Sequence, residues 1–220
     1  MTAYNESEMN ERLLKSATKA FNEKGFRAAS LRDICADADV TTGYLYSHYR
    51  SKKDLFRAIV GDVAGKIESG MEAHFKKYIN DVSEYSTIRK EVEIILYLYP
   101  NRDKVILLFE RAKGTEFEDF GRKLFKRYLE QFIEFYNRIV GVNEDPVFLE
   151  VICRMRFQSY SEILHRELDP EQLLVLAGKV GRFKAAGLLG MKDMKSLCIT
   201  REIVEEKQPG SNCDFDPDCS

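Results

Sequence analysis

The stretch Leu31–Lys53, LRDICADADVTTGYLYSHYRSKK, constrains the chain most. It reads as two short helices joined by a tight turn. Ser30 is a good N-cap for the first, with Asp33 at the third helical position as an acidic partner. Leu31, Ile34 and Ala38 share one face of it. Asp39 and Val40 form the turn, and Val40 is the apolar residue that pins the two helices together. Thr41 caps a second helix over Thr42 to His48, and Ser51 with Asp54 caps a third. Two helices with so brief a turn form a helix-turn-helix, whose second helix can lie in the major groove of DNA.

The second helix carries groups suited to that groove. Thr41, Thr42, Gly43, Tyr44, Tyr46, Ser47 and His48 are small or polar and can donate to phosphates or base edges. Leu45 and Tyr49 face inward. Gly43 lets the backbone approach closely. The N–H groups at the helix starts after Thr41 and Ser51 suit phosphate, and Lys52 and Lys53 stand beside the second start.

This stretch resembles the TetR family of transcriptional regulators. The family pattern, I-A-x-x-A-G-V-S-x-G-x-L-Y-x-H-F-x-S-K, meets Ile34-Cys35-Ala36-Asp37-Ala38-Asp39-Val40-Thr41-Thr42-Gly43-Tyr44-Leu45-Tyr46-Ser47-His48-Tyr49-Arg50-Ser51-Lys52. The match runs from Leu13 to Val60. Asp39 departs from it, standing where the family usually has Gly. That position calls for a left-handed backbone, which Asp tolerates better than most residues.

Around this stretch the chain reads as all-α. Asn5 or Ser7 caps a first helix running to about Lys24, with Leu13, Leu14, Ala17, Ala20 and Phe21 at helical spacing and Gly25 ending it. A three-helix head over residues 1–50 follows, with Leu13, Phe21, Phe26, Ile34, Leu45 and Tyr49 as its core. Residues 51–208 form a larger helical body, and residues 209–220 a polar tail expected to be disordered. The helix from Ser51 turns Leu55, Phe56, Ile59 and Val63 inward. It also carries Gly61, Gly65 and Gly70, which serve either local packing or a compliant connection between head and body. Residues 75–100 read as one helix or two, stopped by Pro100, and Asn101 caps the next over residues 102–113. Thr115 with Glu118 reads as a capping box for a helix to about Val140. Asp145-Pro146 and Asp169-Pro170 are strong start signals for two last long helices, to about Arg166 and Leu189. A short helix near Met194–Glu205 closes the series.

Composition excludes several classes. The 220 residues contain no apolar run long enough to span a membrane, and the N-terminus is polar and acidic rather than secretory, so a cytoplasmic address is expected. Five cysteines, Cys35, Cys153, Cys198, Cys213 and Cys219, make no disulfide framework or zinc spacing. His48, His74 and His165 are scattered. No P-loop, GxSxG, GxGxxG or HExxH motif occurs, so no catalytic residue, metal or cofactor is expected. Residues 1–60 hold 10 Lys/Arg against 8 Asp/Glu, and the remainder 24 against 28. A mildly basic head on a mildly acidic body suits DNA binding by two heads together.

The resemblance implies the rest. It implies a homodimer paired through the last two long helices, so that two recognition helices reach a palindromic double-stranded DNA operator. It implies a ligand-responsive regulator, most often a repressor. Arg27, Arg32, Tyr46, Lys52 and Lys53 would contact phosphates, and Thr42, Tyr44 and His48 base edges. It also implies a pocket enclosed by the helices over about 75–140. Tyr97, Phe109, Phe132, Tyr136, Phe157 and Tyr160 are the lining candidates, with Glu110, Arg111 and Arg156 as polar handles. Each aromatic also fits plain core packing. Such walls suit a mid-sized, largely apolar small-molecule effector. The competing reading is a helical partner-binding module without DNA-binding activity.

Overall fold

The structure, a computed structural model, describes residues 3–78, 83–140 and 144–193, with some side chains at the ends of these segments left undescribed. Among the described residues every regular element is a helix. They are α1 (Ala3–Ala28), α2 (Leu31–Asp37), α3 (Thr42–His48), α4 (Lys52–Tyr78), α5 (Glu84–Leu98), α6 (Arg102–Ile106), α7 (Phe120–Val140), α8 (Pro146–Leu164) and α9 (Pro170–Asp193). The expected helix near Met194–Glu205, the tail, Cys198, Cys213, Cys219 and the His74 side chain lie outside the described residues.

The head folds for local reasons visible in its sequence. Gly25 leaves helical geometry at φ 75° and breaks α1 before Phe26 turns into the core. Ser30 caps α2 by accepting from the Asp33 N–H, and Thr41 caps α3 by accepting from the Tyr44 N–H at 3.0 Å. Asp39 sits in the turn at φ 53°. Leu13, Ala17, Phe21, Phe26, Ile34 and Leu45 close over one another with Leu55, Phe56, Ile59 and Val60 from α4. Tyr49 packs at the edge of this core, donating its hydroxyl to Asn10 Oδ1 at 2.8 Å.

The head core does not stop at the head. Leu107, Leu108, Ala112, Phe120 and Leu124 from the body belong to the same cluster. They come from a π-helical turn, Leu107–Arg111, that continues α6, and from the start of α7. Asn22 on α1 donates to the Asp103 carbonyl at 3.1 Å, and Arg57 on α4 pairs with Glu116 at 2.5 Å.

The body departs from the sequence reading at two joints. Pro100 does not stop the chain's helical course. It sits in a single 3-10 turn, Tyr99–Asn101, that passes directly into α6. Asn101 makes no cap and instead donates to the Tyr97 carbonyl. Thr115 and Glu118 also do not start a helix. The Thr115 hydroxyl donates to the Ala112 carbonyl and accepts from the Phe117 N–H, while Glu118 accepts from the Gly114 N–H. Both side chains hold a turn, and α7 begins at Phe120.

The two aspartate–proline starts are found as read. Asp145 caps α8 through the Val147 N–H at 2.8 Å, and Asp169 accepts from the Gln172 N–H at 2.8 Å before α9. α9 lies against α5. A Cβ on Gly181 would stand 3.1 Å from the Ile88 backbone, so glycine permits this approach. Cys35 and Cys153 are buried free thiols.

Candidate nucleic-acid interface and body cavity

α3 commits one side chain fully to the core, Leu45, and leaves the rest available. Thr41, Thr42, Gly43, Tyr46, Ser47 and His48 are exposed, Tyr46 by 57%. Arg27, Arg32 and Lys53 are also exposed. The structure therefore leaves the sequence-selected head residues accessible, with two qualifications. Lys52 is half-buried: its ammonium donates to the Arg27 carbonyl at 3.1 Å and lies 4.9 Å from the Phe26 ring centroid. Burial pushes its pKa down. Tyr44 is also half-buried. Its hydroxyl donates to the Glu6 carbonyl at 2.9 Å, and its ring stacks on His48 with centroids 4.4 Å apart. Burial and the Glu6 carboxylate raise its pKa.

Glu6 is a residue that sequence reasoning missed. Its carboxylate lies 3.2 Å from His48 Nε2, so the start of α1 braces the outer end of α3. No local signal announces this contact, because Glu6 and His48 are 42 residues apart.

The body holds a cavity of about 1260 Å³ between α4, α5, α6, α7 and α8. Of the sequence-selected aromatics, Tyr97, Phe109, Phe157 and Tyr160 line it, as do Glu110 and Arg156. Phe132 and Tyr136 do not. They stack with Phe75, Tyr128, Phe135 and Leu149 in a separate core. Arg111 is exposed outside the cavity. Ile67, Met71, Ile94, Leu98, Ile106 and Leu164 complete the apolar walls. Among the described residues the buried Tyr97 hydroxyl has no hydrogen-bond partner.

One end of the cavity is charged. Glu91 on α5 is fully buried and accepts from Arg156, from the Tyr160 hydroxyl at 2.7 Å and from Lys184 at 3.0 Å. Burial works against this carboxylate, but Arg156, Lys184 and Tyr160 outweigh it and hold its pKa below the usual range. Lys184 lies over the Tyr160 ring at 4.1 Å, and burial lowers its pKa to about 8. Lys90 is 8% exposed and lies 5.7 Å from the Phe135 ring centroid. Burial first, then repulsion by Arg156, brings its pKa to about 7. The sequence reading picked Arg156 and Tyr160 from this group but not Lys90, Glu91 or Lys184. Helical spacing on one segment cannot show charges that meet across 65 and 93 residues.

The same short segment serves cavity and head. Val105, Ile106, Phe109 and Glu110 line the cavity, while Leu107, Leu108 and Ala112 pack into the head core. On α4, Ile67 and Met71 line the cavity, and Ile59, Val60 and Ala64 belong to the head core.

Among the described residues no helix is long and apolar enough to cross a membrane, and no group of three His, Cys, Asp or Glu is placed to hold a metal ion.

Comparison with known proteins agrees with this architecture. Residues 13–59 match the family model for bacterial regulatory proteins of the tetR family. The HTH-type transcriptional regulator UidR of Escherichia coli K12 is 41% identical over 49 residues, which are 22% of this chain and 25% of UidR. The HTH-type transcriptional repressor BepR of Brucella suis biovar 1 is 36% identical over 55 residues, 25% of this chain and 26% of BepR. The chain thus spans about a quarter of the length of these curated relatives. In fold the likeness extends further. Salmonella enterica GusR superposes with a TM-score of 0.52 at 20% identity, over 83% of this chain and 95% of that one. A transcriptional regulator of the TerR/AcrR family from Aquifex aeolicus VF5 gives 0.51 at 19% identity, over 80% and 96%. These two share the fold with this chain at identities that speak to nothing finer. Residues 13–59 thus match the tetR family of bacterial regulatory proteins in sequence, and the chain as a whole shares its fold with these two solved structures.

Proposed function

We propose that the protein is a ligand-responsive, DNA-binding transcriptional regulator, most often acting as a repressor, that binds a palindromic operator as a homodimer in the cytoplasm. The observation that carries this reading is the outward surface of α3. A seven-residue helix that buries only Leu45 and exposes Thr42, Gly43, Tyr46, Ser47 and His48 is an element built to be read against another surface. Residues 1–50 act as the reading head, with Arg27, Arg32, Tyr46 and Lys53 on phosphates and Thr42, Tyr44 and His48 on base edges. Residues 51–208 act as the sensing and pairing body.

Pairing is supported by an unburied apolar stripe. Val147, Val151 and Met155 repeat every fourth residue on α8, and Leu174, Val175 and Phe183 are exposed on α9, Phe183 by 75%. A second copy covering this stripe would set two α3 helices to meet successive major grooves, about 34 Å apart or a multiple of that. Sensing is supported by the shared wall. A compound filling the cavity presses on α6 and the π-helical turn, whose opposite side is head core. It shifts DNA affinity to the extent that it binds one arrangement of that wall better than the other.

The test is an electrophoretic shift with duplex from the gene's own upstream region, repeated at rising salt, alongside sedimentation of the free protein. The expected result is a dimer and a shift that weakens steeply with salt. A monomer, or indifference to duplex at low salt, overturns the proposal and restores the partner-binding module.

A further inference from the structure

Four buried side-chain oxygens among the described residues lack a hydrogen-bond partner, on Asn22, Tyr97, Gln131 and Tyr136. Of these four residues, Tyr97 is the one that lines the cavity. A buried polar atom left unpaired costs free energy, and a phenylalanine in its place would avoid that cost. Tyr160, in the same lining, spends its hydroxyl on Glu91 at 2.7 Å. Among the described residues nothing takes up the hydroxyl of Tyr97.

The surroundings of Tyr97 set what can complete it. On α5 it stands between Ile94 and Leu98, both also in the lining, and Ile67 and Ile106 line the cavity from α4 and α6. Burial raises its pKa, with smaller opposing effects from Lys66 and Asp62. The hydroxyl therefore keeps a hydrogen to donate, and that hydrogen can turn about its C–O bond toward an acceptor lying along the wall. Lys66 and Asp62 bond to each other at 2.8 Å, so this ion pair is closed on itself. A neutral oxygen acceptor meets the hydroxyl without the desolvation cost that an ionised group brings.

We propose that Tyr97 is a ligand-binding residue of the cavity, its hydroxyl donating to the oxygen of an apolar carbonyl compound of the ketone or ester class. The inference rests on the reading of this cavity as the effector site and adds the chemical class of that effector.

The experiment uses two pairs of probes in which a carbonyl oxygen is exchanged for a methylidene group of the same shape. They are benzophenone with 1,1-diphenylethene, and decan-2-one with 2-methyldec-1-ene. Each is measured by equilibrium dialysis in sealed cells against the whole chain at pH 7, as wild type and as Tyr97→Phe. The ketone-to-methylidene affinity ratio is expected to fall about fivefold on Tyr97→Phe, the equivalent of one hydrogen bond, with methylidene binding unchanged. The melting temperature of the ligand-free variant is expected to equal or exceed that of wild type, since the hydroxyl has no partner to lose. An affinity ratio unmoved by Tyr97→Phe in both pairs, a lower melting temperature for the variant, or no binding of any probe overturns the inference. Operator binding is read separately on the same samples. A ketone preference lost with the hydroxyl, in a protein that ignores duplex, removes the regulator reading and leaves the ligand class standing. Duplex binding with an unmoved ratio does the reverse.

Discussion

Replacing Glu91 by Gln isolates the charge on which the buried cluster depends. The amide keeps the shape of the side chain and part of its hydrogen bonding, so packing changes little. What goes is the one carboxylate that Arg156 and Lys184 share, in a site where Glu91 is 0% exposed and the side chains of Arg156 and Lys184 are each 15% exposed. Removing one partner of a buried ion pair costs about 3–5 kcal/mol, because the other charge is left without compensation. That is a large share of a folding free energy of about 5–15 kcal/mol. The measurement is urea unfolding followed by helical circular dichroism at fixed protomer concentration, since pairing makes stability concentration-dependent. Glu116→Gln is the control. Its carboxylate is 36% exposed and meets Arg57, itself 59% exposed, so its loss is expected to cost less than about 1 kcal/mol. The Glu91→Gln deficit should also shrink between pH 7 and pH 9, because Lys184, already lowered to about 8, sheds its proton more readily without Glu91. A deficit below about 1 kcal/mol at pH 7, or one equal to that of Glu116→Gln, would refute the reasoning and mean that water reaches the cluster.

Three further outcomes follow from the same geometry. Burial and the Arg156 guanidinium push the Lys90 pKa down from 10.5 to about 7, so the unfolded state binds more protons between those values. Stability should rise with pH from about 7 toward 10 by up to about 1.4 kcal/mol per pH unit, with Arg156 and Glu91 acting on the group, and Lys90→Met should flatten that rise in urea titrations. Tyr46→Phe should weaken specific and unrelated duplexes alike, about two- to tenfold for one hydrogen bond, whereas Tyr44→Ala should reorder a panel of duplexes in competition shifts; a uniform loss from Tyr44→Ala contradicts its assignment to base readout. Gly181→Val should lower thermal stability by about 1–3 kcal/mol, because its Cβ would meet the Ile88 backbone at 3.1 Å, which has no flexible end to yield.

Local chemistry was legible in the sequence, and contacts across the chain were not. Asp39 at φ 53°, the Thr41 cap and the Asp145 and Asp169 starts are decisions made within about four residues, and each was readable there. Thr115 and Glu118 misled because the residues that cap a helix also close a turn. Which they do is decided by Phe120 and Leu124 docking on the head core, a tertiary event. The aromatic stripe of α7 misled in the same manner. Phe132 and Tyr136 have the same spacing to Tyr128 that a cavity wall would show, yet they face the Phe75 cluster rather than the cavity. Periodicity identifies a buried face without saying whether packing or a void lies against it.

The placement of α6 also bears on how a signal leaves the cavity. A bound molecule would alter the head through elements that touch both, and α4, the α6–π segment and, through Leu124, the start of α7 do so in the described residues. α4 is one continuous helix of 27 residues, stiff along its axis, whose Gly70 faces the cavity without a neighbour to crowd it. The α6 segment is shorter and irregular, with a 3-10 turn before it and a π-helical turn at its end. Such turns carry poorer hydrogen bonding than an α-helix and give way at lower cost. Phe109 stands on that turn against the cavity, with Leu108 beside it in the head core at 1% exposure. On the proposed regulator reading, a ligand that displaced Phe109 would reach Leu108 within one residue, and the long helix would be the lever that converts this into a movement of the head.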